Sequence, residues 1–201
     1  MSREVLELVE KMDKVELKNQ LALQCAPLLS GIKPSNLLTL RNHSVEEVEA
    51  VFAGTDITVQ ILCQTGRQTV LLLYREEELL TYINTPDVKY AMQRFGYRTL
   101  HLTDIFKVLC THYETYMTDR ESFPHELGLL LGYPVEDVLG FVENRGQNYL
   151  YSGYWKVYGD VGKAKALFDR YSAAKEQAIR MVVAGGEITS LLAMRQQKIA
   201  V

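Results

Sequence analysis

The run TVLLLY, from Thr69 to Tyr74, constrains the fold more than any other stretch of this chain. Successive side chains on a strand point to opposite faces. A strand built from this run therefore has two apolar faces, and both must leave water. That predicts a central strand covered by helices. The run Ile57 to Gln64 just before it is also rich in β-branched and aliphatic residues, and Thr65, Gly66 and Arg67 lie between the two. This pattern predicts an antiparallel hairpin.

Helical patterns surround the hairpin. Ser2 is placed to cap a first helix, with Val5, Leu6, Leu8 and Val9 on its apolar side. A second pattern passes through Val15, Leu17, Leu21, Leu23 and Ala26, and Pro27 with Gly31 is expected to end it. Asn36 to Arg41 reads as a short strand, and Ser44 with Glu47 forms a capping-box pattern for a short helix. Glu76 to Ile83 and Asp87 to Phe95 read as helices, the second started by Thr85-Pro86 and stopped by Gly96. Thr103 is expected to cap a further helix, and Asp160 to cap the longest one, which ends at Gly185-Gly186. Residues 187–201 read as a weakly ordered helical tail. The expected architecture is α+β, a small antiparallel sheet packed by helices, in one domain over 1–201.

Charge and cysteine usage narrow the function classes. The formal net charge is -3, so no global positive field draws nucleic acid or an anionic membrane. Cys25, Cys63 and Cys110 are odd in number and form no CxxC, which argues against a secreted disulfide framework and a zinc ribbon. The first residues mix charges with apolar side chains, unlike a signal peptide. No apolar run is long enough for a bilayer span. The expected location is the cytoplasm.

Ser122 to Asp160 holds the densest chemistry. Ser122 with Pro124 should open a short helix closed by Gly132, and Pro134 should open the next, with Glu136 and Asp137 exposed in its first turn. The corner has a helix-turn-helix rhythm, but acids at the start of the second helix repel phosphate, which argues against nucleic acid as a partner. His125-Glu126 is not HExxH, because Leu129 stands where the second His would be. The pair is either a polar site or an exposed first turn, and no metal ligand set is expected. If Gly153 to Tyr158 is extended, Tyr154, Lys156 and Tyr158 share one face and Trp155 the other. Such a face either stacks on a planar ligand or fills the core. Further back, Cys25 with Lys33 and Asn36 offers either a thiolate activated by a cation or a small buried hydrophobe.

At CAPLLSGIKPSNL, FPHELGLLLGYPVEDVLGF and GYWKVYGD, the chain resembles an uncharacterised bacterial family, a domain of unknown function found chiefly in anaerobic bacteria. The resemblance carries no activity or cofactor. It implies that the Cys25-Lys33-Asn36, His125-Glu126-Tyr133 and Trp155-Lys156-Tyr158 patches belong to one recurring pattern. Family members are described beside iron-uptake and flavodoxin-type genes, a pointer toward redox or metal physiology. The leading expectation is a pocket for a small polar or planar ligand, lined by all three patches with Tyr154, in a regulatory role. The alternatives are an enzyme using Cys25 or His125 with Glu126 and Lys33, and a protein–protein interaction module or homo-oligomer.

Overall fold

The computed structural model describes residues 1–66 and 68–192. In chain order the elements are α1 (Arg3–Lys11), α2 (Leu17–Leu29), β1 (Ser35–Leu40), α3 (Val45–Phe52), β2 (Thr58–Gln64), β3 (Thr69–Tyr74), α4 (Glu76–Ile83), α5 (Pro86–Arg94), α6 (Leu102–Asp119), α7 (Leu127–Leu130), α8 (Val135–Glu143), β4 (Tyr151–Ser152), β5 (Lys156–Val157) and α9 (Val161–Val183). This is an α+β fold. A three-stranded antiparallel sheet has the order β1-β3-β2, and β4 with β5 forms a separate short ladder.

The β2–β3 hairpin forms, with Thr65 N–H donating to the Gln68 carbonyl at 2.9 Å. Every residue of β3 is buried, as its unbroken apolar run requires. Leu71 and Leu73, with Leu38 and Leu40 of β1, pack under α1, α2, α3 and α9. Val70, Leu72 and Tyr74, with Leu62 of β2, face the other way and meet α4 to α8. The period of two along β3 thus feeds two helical layers from one strand.

Local capping follows the sequence at two places. Ser44 and Glu47 form the capping box, and the Asp160 side chain accepts from Lys163 N–H. Elsewhere the structure differs. Pro27 lies inside α2, which continues to Leu29 and turns out at Gly31 with φ +70°. A proline this near a helix end removes one hydrogen bond, and the full burial of Leu28 and Leu29 holds the last turn in place. Ser2 sits at the cap position, but its hydroxyl donates to Glu176 of α9. Thr103 lies within the first turn of α6, which starts from His101. Ser122 donates to Asp119, and the helix after it is delayed to Leu127. Gly153 to Tyr158 is a tight turn with two-residue strands, not one extended face. In the stretch expected as a tail, Ile188, Leu191 and Leu192 are buried in the α2–α9 layer, while 193–201 lie outside the described residues. No described helix is long and apolar enough to cross a membrane.

Candidate functional site

The second helical layer is not filled. Between the end of α6, the α7–α8 corner and the β4–β5 turn lies a cavity of about 660 Å³. The corner is shaped by Gly132, whose φ of +75° reverses the chain before Tyr133-Pro134. Gly140 of α8 lets the Tyr158 ring lie where a Cβ would stand 2.6 Å from it, so the turn seats closely on α8.

Aromatic side chains make the walls. Tyr116, Phe123, His125 and Phe141 form a chain of edge and tilted contacts with successive centroids 5.1–5.5 Å apart. Tyr133 and Trp155 stack at 4.6 Å. The Trp155 ring is fixed from behind, because its Nε1–H donates to Asp137 Oδ2 at 2.6 Å. The other Asp137 oxygen accepts from the N–H groups of Tyr158 and Gly159 at 2.7 and 2.8 Å. Asp137 is only 3% exposed, and these three donors compensate its burial. Asp137, expected as an exposed acid, is in the first turn of α8 but points inward; its fitness for that turn is legible in the sequence, its direction is not.

Two cations reach the same hollow. Lys156 donates to the Gly146 carbonyl at 2.6 Å and lies over the rings of Tyr149 and Phe141. Arg120, in the left-handed region at φ +61°, lies over Tyr116. Burial holds the His125 imidazole below its ordinary pKa, with Glu126 pulling weakly the other way. Around this cavity, then, the carboxylate is already satisfied and the cations face aromatic surface, an arrangement able to hold a flat molecule with an anionic group.

Of the residues singled out in the sequence, His125, Tyr133, Trp155 and Lys156 line the cavity. Lys33 stands behind its wall, with its ammonium 5.2 Å from the Tyr133 ring centre and 5.6 Å from that of Tyr171. Burial pushes the Lys33 amine down to about 8. Glu126 turns away from His125 and is 2.6 Å from His112 Nδ1, while Tyr97 donates to the same oxygen at 3.2 Å. Cys25 is wholly buried under the sheet, donates to the Leu37 carbonyl and has its thiol pushed up to about 12. Asn36 donates to the Gln24 and Leu37 carbonyls. Tyr154 packs on Phe168 and Tyr171, and Tyr158 on α8. The three patches therefore do not share one hollow: the Cys25 segment belongs to the opposite layer, and only Lys33 reaches across. Arg120, Phe123 and Phe141 also line the cavity and are not among the residues the sequence singles out, although the spacing of Phe123 and His125 beside the helix end is a usable signal.

Among the described residues, no group of three or more His, Cys, Asp or Glu is placed to hold a metal ion.

The class so defined is an α+β protein whose antiparallel sheet separates a packed helical layer from one that encloses an aromatic-walled cavity. Residues 21–192 match the family described as "Protein of unknown function (DUF3793)", and the chain belongs to that family. No curated protein and no solved structure matches it.

Proposed function

We propose that this protein binds a small planar ligand bearing an anionic group, held in the cavity between the α7–α8 corner and the β4–β5 turn. One observation carries the reading: a cavity of about 660 Å³ is already open, and its stacked Tyr133–Trp155 wall is locked by the buried Asp137. A site that needs no rearrangement loses little ordering entropy on binding. The charges support the anionic group, since Arg120 and Lys156 border the hollow while Asp137 is consumed by three donors.

The chain contains a single tryptophan, so its intrinsic fluorescence reports this wall directly. Flavins, haem, nucleotides and simple aromatic acids are screened by Trp155 quenching and by thermal shift. The expected result is quenching and stabilisation by at least one planar anion, both weakened in Tyr133→Leu. Absence of both signals across all these classes overturns the reading.

A second reading, a partner-docking surface, has one observation in its favour. Tyr149 and Leu150, just before β4, are exposed, Leu150 by 64%. Chain mass in solution separates it from the first: a stable dimer dispersed by Leu150→Glu supports docking.

A further inference from the structure

Among the described residues, no protein group hydrogen-bonds either ring nitrogen of His125. Its ring is instead held by carbon, with the Phe123 and Phe141 centroids 5.5 and 5.1 Å away, and it lines the cavity. Asp137 is engaged by Trp155 and two backbone N–H groups, Lys156 gives one N–H to the Gly146 carbonyl, and Arg120 gives one to the Met117 sulfur and lies over the Tyr116 ring. Of the side chains that line the hollow, His125 is the one whose ordinary change of charge falls near neutrality. His125 is only partly buried, and a ligand atom that meets its ring nitrogen breaks no bond within the protein.

We propose that His125 is an anchor of the cavity, and that its ligand is a planar organic acid whose carboxylate binds together with one proton drawn from solvent onto the His125 ring. This deepens the proposed function and rests on it. Burial keeps the imidazole neutral in the empty cavity. The charged groups around it divide: Arg120 from the end of α6 and Lys156 from β5 oppose a further positive charge. Glu126 favours it from the adjoining residue, although its carboxylate is turned to His112. Asp137 of α8 spends its charge on its own donors. A carboxylate beside the ring reverses the balance and makes the imidazolium the stable form. No bond is made or broken; one proton moves from solvent to a ring nitrogen, and the ligand stays an anion.

The sign follows from linkage. Affinity for the acid strengthens as pH falls, through the raised value of the bound state toward the lowered value of the free state, and then levels off. The test is calorimetric titration with trans-cinnamate and its neutral analogue trans-cinnamamide, from about pH 8.5 to about pH 5.5. Cinnamate is expected to gain up to about tenfold in affinity per pH unit. The amide should show no pH dependence, and His125→Phe, which keeps the ring contacts, should abolish the cinnamate slope. Proton uptake, read from the wild-type protein in two buffers of different ionisation enthalpy, gives the same answer without a variant. Cinnamate binding with a flat pH profile and no proton uptake overturns the role of His125 while leaving the cavity reading intact. If neither probe binds and the wider ligand screen is also negative, both fall together.

Discussion

The two faces of the sheet are built to different ends. Under α1, α2, α3 and α9 the layer is closed by aliphatic side chains, and Cys25 in it behaves as a small apolar group with its thiol pushed up to about 12. Beyond β3, in the layer of α4 to α8, the same strand meets aromatics, a hollow of about 660 Å³ and buried polar groups such as Glu126 and Asp137. One face stores stability through packing; the other gives some of it up to hold shape around a space. Lys33 links them, rooted beside Cys25 with its ammonium over the Tyr133 ring.

Substitutions sharpen that contrast. Leu71→Ala, on the closed face, should cost about 4 kcal/mol in denaturant unfolding and leave Trp155 emission in the native state unchanged. A small cost would mean that the closed face is looser than its burial implies. Asp137→Ala should cost about 3 kcal/mol, because it strands two backbone N–H groups and the indole N–H, and here native Trp155 emission should shift as well. If emission stays put, Tyr133 alone holds the wall.

Lys33→Met should act in the opposite direction. Burial lowers the Lys33 amine from its ordinary 10.5 to about 8, so the unfolded chain binds more protons between those values. The Lys33 contribution to stability should therefore rise as pH climbs from about 8 to about 10.5, while the Cys25 thiol, raised from 9.0 to about 12, opposes it above about 9; the difference between wild type and the methionine variant isolates the Lys33 part. Below that window the buried cation costs about 3 kcal/mol, of which the two tyrosine faces return about 1, so the methionine variant should gain about 2 kcal/mol at neutral pH and lose the alkaline rise. No difference between the alkaline profiles of wild type and variant would mean that the ammonium is better solvated than its burial suggests. Smallest of all, Ser44→Ala, remote from the cavity, should cost about 1 kcal/mol by thermal melting with no effect on ligand response.

Much of the frame was legible before any coordinates. The hairpin, the central place of β3, the capping box at Ser44 and the cap at Asp160 are written in short-range patterns, where neighbouring residues decide the outcome. Pro27 misled because its local rule, to end a helix, was outweighed by the burial of Leu28 and Leu29 beyond it. The extended reading of Gly153 to Tyr158 failed for a related reason: Asp137, far back in the chain, captures the N–H groups of Tyr158 and Gly159 and folds the segment into a turn. Within the cavity, His125, Tyr133, Trp155 and Lys156 stood out by residue type, whereas Arg120 and Asp137 looked like ordinary surface charges.

By itself the sequence determined the class of fold, since an apolar run with alternating faces admits few partners other than helices above and below. It also determined which segment holds the chemistry, because aromatics, glycines and a histidine cluster there. Only the tertiary structure decided which of those side chains meet. Glu126 left its neighbour for His112, Asp137 turned inward to Trp155, and Cys25 went to the far side of the sheet. Side-chain direction is set by partners remote in the chain, and hydrogen bonds between such partners are chosen by packing rather than by local pattern.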